Sequence, residues 1–189
     1  MPTSVISAII YIVNAFTSLY LLILLLRFWL PIVRADFRNP LTQGIFRLTS
    51  PLVTPLRRLL HPIGKIDTAS IFISLVFQYL TILLLLYVSD RSFNSLQIFL
   101  SSIIRLIMLS INIFTFAIFI RVLTSWLSPP GYYNPITSIV ISLSTPILRQ
   151  LKRVIPILSG IDLTPVFAII FLIAMNILIG GLLPIGIIT

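Results

Sequence analysis

Long apolar segments alternate with basic segments that contain prolines, and this alternation covers almost the whole chain. Three apolar segments are easily delimited, at residues 5–26, 71–88 and 165–183. Each approaches the roughly 20 residues that a helix needs to cross the hydrocarbon of a bilayer. A less regular segment at about 100–121 contains Arg105, which we expect to extend towards the membrane edge. The pattern therefore predicts an all-α membrane protein with four transmembrane helices.

The composition agrees with this class. The chain of 189 residues is 58% hydrophobic and only 9% charged, whereas about 25% of the residues of a soluble domain are charged. The formal net charge of +9 would favour nucleic acid in a soluble protein, but no nucleic-acid-binding module is recognisable. Membrane lipids with anionic headgroups are therefore the expected partner of the basic residues, and no nucleic acid is expected.

The basic residues are concentrated in two of the three predicted loops. Loop 27–70 contains seven Lys and Arg residues, and loop 122–164, together with Arg121 at its edge, contains four. The loop between them offers Arg91, with Arg105 beyond it. Because loops rich in Lys and Arg stay in the cytoplasm, we expect both proline-containing loops on that side and both termini outside.

The two basic loops are copies of one motif. Residues 49–67 read TSPLVTPLRRLLHPIGKID, and residues 144–162 read STPILRQLKRVIPILSGID, 95 positions later. The same offset relates Asn39-Pro40 to Asn134-Pro135, Pro51 to Pro146 and Asp67 to Asp162. Each half is a span, a basic loop and a span, so both halves have the same orientation. We therefore predict two tandem parallel repeats, at residues 1–92 and 93–189.

Each basic loop has the pattern of amphipathic helices. Apolar residues recur at helical spacing, at Leu52, Leu56 and Leu59 in the first loop and at Ile147, Leu148 and Leu151 in the second. The basic residues opposite them are Arg57, Arg58, Arg149, Lys152 and Arg153. We expect these five side chains to bind anionic lipid or partner proteins at the cytoplasmic surface of the membrane.

Cap-and-proline pairs indicate where the loop helices begin. Asn39-Pro40 and Asn134-Pro135 each combine a preferred N-cap residue with proline at the first helical position. Ser50-Pro51 and Thr145-Pro146 repeat this combination, so the sequence predicts two short helices in each loop. Asp67 and Asp162 precede the next spans. They are expected to cap those spans, and could also form ion pairs back to Arg58 and Arg153.

The combined motifs resemble those of the YggT family of bacterial membrane proteins, which is related to YlmG of Gram-positive bacteria and chloroplasts. The features that carry the resemblance are Arg27 with Trp29, Arg121 with Trp126, the two Asn-Pro pairs and the two copies of the loop motif. The resemblance implies a protein of the bacterial inner membrane. It also implies a link to osmotic tolerance and ion homeostasis, while chloroplast relatives are linked to the assembly of thylakoid complexes and to nucleoid arrangement.

Catalytic and metal-binding chemistry is not expected. The chain has no cysteine, one histidine (His61) and four acidic residues, none of them within a predicted span. Neither a catalytic triad nor a metal cage can be assembled from this set, and no phosphate-binding glycine pattern occurs. We therefore expect no enzyme activity, no metal and no cofactor.

Four amide side chains lie within the predicted spans: Asn14, Gln78, Asn112 and Asn176. They could form structural hydrogen bonds between helices, or they could line a polar pathway. Two functions follow from the whole pattern. The first is a non-enzymatic scaffold or assembly factor whose basic helices contact lipid and partners, which are expected to be other membrane proteins or further copies of the chain in a homo-oligomer. The alternative is a channel or transporter component in osmotic ion homeostasis.

Overall fold

The protein is described here by a computed structural model, which covers residues 3–88, 94–127, 134–153 and 162–183. Regular structure in these ranges is helical, apart from a single β-bridge between Ile63 and Ile66. The helices are α1 (Thr3–Ile32), α2 (Pro40–Arg57), α3 (Thr68–Val88), α4 (Ser95–Leu127), α5 (Pro135–Leu151) and α6 (Thr164–Gly180). The predicted all-helical class is thus confirmed for the described residues.

Three helices, α1, α3 and α4, are long and apolar enough to cross a membrane. Helix α6 is equally apolar but has only 17 residues. At 1.5 Å per residue it extends over about 26 Å, slightly less than a typical hydrocarbon core. The fourth crossing therefore stays a prediction, as do the repeat boundaries at residues 92 and 93.

The helices pack mainly within each half, α1 against α3 and α4 against α6, and α3 and α4 join the halves. The main core contains residues of both halves and of both loop helices: Leu21, Leu24, Leu25, Val53, Ala69, Leu106, Ile113, Ala117 and Leu143. A separate cluster in the second half joins Ile118, Leu148 and Ala168. Helices α2 and α5 are therefore packed onto the bundle through Val53 and Leu143 rather than extending away from it.

The first helix is longer than predicted, and this corrects the position of two residues. Helix α1 continues to Ile32, so that Arg27 lies inside it instead of ending it. Trp29 lies outside the predicted span 5–26, yet its indole nitrogen donates a hydrogen bond to Ser110 Oγ of α4 at 3.2 Å. Its ring also packs edge-on against Phe114. Trp29 is therefore a contact between the two halves, whereas Trp126 is exposed.

The loop helices are also longer than predicted. The prediction of two short helices per loop is wrong, because α2 passes through Pro51 and Pro55 and α5 passes through Pro146 without ending. Proline removes one backbone donor from a helix. The hydroxyls just before Pro51 and Pro146 donate to helix carbonyls one turn earlier, at 2.6 Å from Ser50 to Phe46 O and at 2.6 Å from Thr145 to Ile141 O.

Both predicted caps at the starts of these helices are formed. Asn39 Oδ1 accepts from Leu41 N, and Asn134 Oδ1 accepts from Ile136 N, each at 2.9 Å. Asn39 is fully buried, and its Nδ2 also donates to the carbonyl of Pro135 at 2.7 Å. One side chain thus caps α2 and connects it to the first residue of α5, which holds the beginnings of the two loop helices together.

Candidate functional site

A buried arginine connects the end of α1 to α2 and α3. Arg27 is 2% exposed. Its Nη1 donates to Thr49 Oγ1 at 2.8 Å, to Phe46 O at 3.1 Å and to Ser50 Oγ at 3.3 Å. Its guanidinium also lies over the ring of Phe46, 4.7 Å from the centroid. The hydroxyls can accept from arginine because each donates its own proton to a helix carbonyl.

A buried carboxylate completes this arrangement. Asp67 is 3% exposed and immediately precedes α3. Its oxygens accept from Arg57 Nε at 3.2 Å, from Arg57 Nη2 at 2.5 Å, from Arg27 Nε at 3.3 Å and from Ser70 Oγ at 2.7 Å. We call the five residues Arg27, Thr49, Ser50, Arg57 and Asp67 the first clamp. It fixes α2 to the two apolar helices of its half by charge-assisted hydrogen bonds.

The second half repeats part of this arrangement. Arg121 Nη1 donates to Ser144 Oγ and to Thr145 Oγ1, each at 3.0 Å. Lys152 Nζ lies 2.7 Å from Asp162 Oδ2. These five residues, the second clamp, occupy the positions equivalent to the first, at an offset of 94 residues for the arginine and 95 for the others. Asp162 is 37% exposed, however, so this ion pair is partly in solvent.

Protonation of Asp67 should weaken the first clamp. Burial raises the pKa of this carboxyl, but the hydrogen bonds from Arg57, Ser70 and Arg27 and the charge of Arg57 outweigh it, so its pKa lies below the usual value. In the unfolded chain the group titrates near 3.9. The contribution of ionised Asp67 to the free energy of unfolding is therefore present above about pH 4. It is lost as the pH falls through the lower pKa that this carboxyl has in the folded protein.

We accordingly expect the melting temperature in detergent to respond little to this group above about pH 5 and to fall steeply below about pH 4. Asp67→Asn should lower stability at neutral pH and make the acid limb shallower. Asp36→Asn, which removes an exposed carboxylate, is the matched control. An acid limb of equal slope in wild type and in Asp67→Asn would contradict the assignment.

Helix α2 has a buried face and an exposed apolar face. One face is buried in the bundle and contains Thr42, Thr49 and Val53. Rotated from it by about a quarter turn is an exposed apolar face of Leu41, Leu48 and Leu52, which are 42%, 65% and 45% exposed and follow helical spacing. Leu59, in the turn after the helix, is 79% exposed and continues the row. We call these four residues the leucine face.

The equivalent face of α5 is covered. Leu143, which corresponds to Leu48, is 3% exposed and belongs to the main core. Ile147, which corresponds to Leu52, packs against the cluster of Ile118, Leu148 and Ala168. Ile136, in contrast, keeps an exposure comparable to that of its counterpart Leu41. Each loop helix thus has its own clamp, but the two helices expose different surfaces.

The structure separates the five predicted basic residues into two groups. Arg57 and Lys152 belong to the clamps, so the ion pairs of Asp67 and Asp162 are made one position earlier than the expected Arg58 and Arg153. Arg58, Arg149 and Arg153 have exposed side chains. Residues 154–161, the end of the second loop motif, lie outside the described residues. Among the described residues, no three metal-ligating side chains come together.

Sequence reasoning missed the roles of Arg27, Arg121 and the hydroxyl pairs. Both arginines had been placed at the ends of spans, and Ser50 and Thr145 had been interpreted as helix caps. A usable signal was present, because both arginines and both hydroxyl pairs recur at nearly the same offset as the loop motif. Repetition of a polar residue inside an apolar segment indicates a specific partner.

This fold and site define the class of the protein. It is an all-helical membrane protein whose basic loop helices are clamped to apolar helices. The chain belongs to the CCB3/YggT family, whose model matches residues 6–88 and 100–183. The two matched segments correspond to the two halves that the internal offset delimits, and each contains one complete clamp.

Similar proteins are found in several bacteria. The uncharacterized protein PA0392 of Pseudomonas aeruginosa is 41% identical over 175 residues, which cover 92% of this chain and 88% of the relative. An uncharacterized protein in the proC 3′ region of Vibrio alginolyticus is 30% identical over 176 residues, which cover 92% of this chain and 94% of the relative. The uncharacterized protein YggT of Escherichia coli K12 is 28% identical over 167 residues, which cover 88% of this chain and 86% of the relative. No solved structure matches the chain.

Proposed function

We propose that the protein is a non-enzymatic scaffold or assembly factor of the bacterial inner membrane. Its two basic loop helices would lie at the cytoplasmic face, with both termini outside, and would contact anionic lipid and partner proteins. The observation that carries the proposal is the repeated clamp. The polar groups that both halves have in common hold a loop helix against the bundle. This is expected if that helix is the surface that contacts lipid and partner proteins.

The exposed surfaces support this role. The leucine face presents apolar side chains, each of which gains about 1.5 kcal/mol or more when it is buried in lipid or in a partner. Arg47 and Arg58 are exposed beside it, and basic residues near an anionic leaflet contribute about 1 kcal/mol each. Apolar burial would therefore provide most of the binding energy, while charge selects the leaflet and the headgroups.

Reversing the exposed charges should reduce the recovery of partners. In the double variant Arg58→Glu with Arg153→Glu, we expect the proteins and anionic lipids captured by crosslinking in native membranes to fall several-fold, because two favourable contacts per molecule become repulsive. Mass spectrometry of the crosslinked material measures this and identifies the neighbours. Arg38→Glu, an exposed residue outside both loop helices, is the control. Unchanged recovery in lipid nanodiscs would contradict the proposal.

The alternative function is a channel or transporter component in osmotic ion homeostasis. It is favoured by an open pocket between α1, α3 and α4, whose lining includes the polar side chains of Asn14, Gln78 and Arg105. Purified protein in liposomes distinguishes the two functions, since selective potassium or sodium flux would support the alternative and its absence would support the scaffold.

A further inference from the structure

An open apolar groove lies between α3 and α4, with α1 behind it, and has a volume of about 780 Å³. Buried residues form its floor and exposed residues its rim, namely Leu25, Phe28 and Leu106 at the floor and Ile71, Phe72 and Ile107 at the rim. Its polar lining, Thr68, Ser110 and Trp29, is already hydrogen-bonded within the protein. The groove therefore offers an apolar surface that is accessible from the side, where the hydrocarbon of the bilayer surrounds the helices.

The groove has the length of one leaflet. On α4 its lining extends from Ile103 to Phe114, which is about 16 Å at 1.5 Å per residue. This is about half the thickness of the hydrocarbon core of a bilayer. The groove lies at the end of the bundle that contains the clamps, since Phe28 directly follows Arg27 and Thr68 directly follows Asp67. A lipid chain in the leaflet on that side would extend along the whole groove.

The dimensions of the groove suit a lipid chain better than a protein helix. A helix with its side chains is about 10 Å wide, so a length of 16 Å occupies roughly 1,250 Å³. The groove holds about 780 Å³, so the helix of a partner or of a second copy would rest on the rim and leave the floor uncovered. Apolar walls without a neighbour lose dispersion contacts. An acyl chain can restore these contacts along the floor.

The end of the groove beside the first clamp is positively charged. Thr68 lines this end, and its Oγ1 donates to His61 O at 2.9 Å, which holds the turn after α2 against the beginning of α3. Arg58 and Lys65 are exposed in the segment that this bond closes or directly precedes it. The neighbouring carboxylate, Asp67, is buried and already bound by two arginines. The charge at this end therefore favours an anionic headgroup.

We propose that the groove binds an anionic phospholipid from the leaflet on the clamp side. One acyl chain would lie between α3 and α4 on Leu25, Phe28 and Leu106, and the phosphate of the headgroup would lie at Arg58 and Lys65. This deepens the lipid contact of the proposed function and rests on that function only for which leaflet is cytoplasmic. The groove is separate from the leucine face, because none of the four leucines lines it.

Trp29 lines the groove and can report its occupant. The full chain with Trp126→Phe is reconstituted into phosphatidylcholine vesicles that contain phosphatidylglycerol as the minor lipid. Brominated acyl chains, which quench tryptophan fluorescence on contact, are carried either by the phosphatidylglycerol or by an equal fraction of the phosphatidylcholine. We expect the brominated phosphatidylglycerol to bind beside Trp29, and hence to quench it at low fractions, about fivefold more effectively, the factor expected from one basic contact to an anionic lipid.

Charge variants locate the headgroup. In Arg58→Gln with Lys65→Gln, the two brominated lipids should quench Trp29 equally, because the contacts that distinguish their headgroups are removed. The matched control is Arg34→Gln with Arg38→Gln, which removes two exposed charges from the loop between α1 and α2. No residue of this loop, 33–39, lines the groove, so the control should keep the wild-type preference.

A change of volume locates the acyl chain. Ile107→Phe narrows the groove at its rim and should reduce the quenching of Trp29 by phosphatidylglycerol. Ile170→Phe enlarges an exposed residue of α6 outside the groove and should leave the quenching unchanged. Both positions are exposed, so neither variant disturbs the core.

Each other outcome overturns the proposal. Equal quenching by the two lipids in the Trp126→Phe protein would mean that the groove does not select an anionic lipid. An unchanged preference in Arg58→Gln with Lys65→Gln would place the headgroup elsewhere, and unchanged quenching in Ile107→Phe would place the chain elsewhere. Quenching that falls as the protein is concentrated in the vesicles would show that a second copy covers the groove. None of these results affects the crosslinking of partner proteins, whose loss with the lipid preference retained would refute the scaffold role alone.

Discussion

Replacing Arg27 with methionine is expected to lower the free energy of unfolding by about 3–5 kcal/mol, the effect of removing one partner from a buried ion pair. Arg27 is 2% exposed and donates to two other segments, helix α2 and the residue that precedes α3. Without Arg27, the carboxylate of Asp67, which is 3% exposed, keeps Arg57 as an ionic partner but loses one of its two arginines. The carbonyl oxygen of Phe46 also loses a hydrogen-bond donor. The first half should loosen where α2 meets α1 and α3.

The second half provides the matched control. Arg121→Met removes the equivalent arginine, but Arg121 is only partly buried and its contacts are two hydroxyl groups. We expect a cost of about 1 kcal/mol, the usual value of a neutral-acceptor hydrogen bond. The double variant Arg27→Met with Asp67→Asn should be less destabilised than the sum of the single variants, because the uncompensated carboxylate is removed as well.

Tryptophan fluorescence can follow these transitions. The chain has two tryptophans, and Trp126 is 80% exposed whereas Trp29 packs between Phe28 and Phe114. In a Trp126→Phe background, Trp29 therefore reports the contact between the halves during denaturant titration in detergent. Equal destabilisation by Arg27→Met and Arg121→Met would contradict the special role of the first clamp.

Much of the framework could be predicted from the sequence, because it depends on local chemistry. The Asn-Pro pairs begin helices, since a side-chain acceptor and a fixed proline φ act within one turn. Apolar runs locate α1, α3 and α4, since each must contain enough apolar residues to cross hydrocarbon, although α1 and α4 extend beyond the predicted spans. The family model matches two tandem segments, residues 6–88 and 100–183, which are related by nearly the same offset as the loop motif.

The clamps were beyond such reasoning because their partners are distant in sequence. Arg27 meets Thr49 and Asp67 at separations of 22 and 40 residues. An arginine in an apolar segment normally lies at the membrane edge, and only the tertiary contacts place this one inside. Pro51 was expected to begin a helix because the pattern Ser-Pro is typical of a start. Hydrogen bonds from the preceding hydroxyls and packing of Val53 override that preference.

The leucine face is a second feature that periodicity alone could not resolve. The sequence places Leu48, Leu52, Val53 and Leu56 on one broad apolar stripe of α2, yet tertiary packing divides it. Val53 and Leu56 pack onto the core, and Leu48 and Leu52 stay exposed. At the counterparts of Leu48 and Leu52 in the second half, Leu143 and Ile147, the described structure covers this part of the stripe. We therefore expect the leucine face to be buried in the cytoplasmic leaflet or in a partner when the protein is in its membrane.

We expect the clamped loop helices to lie at the cytoplasmic membrane surface with their basic side towards water. Since the chain has no cysteine, the single variants Arg47→Cys, Arg58→Cys, Leu48→Cys and Leu52→Cys can be labelled without background, using a membrane-impermeant maleimide on oriented vesicles. Positions 47 and 58 should react from the cytoplasmic side only, and about tenfold faster than positions 48 and 52, as burial worth about 1.4 kcal/mol or more requires. Labelling of positions 47 and 58 from the outer side, or equal rates at all four positions, would contradict this placement of the helices.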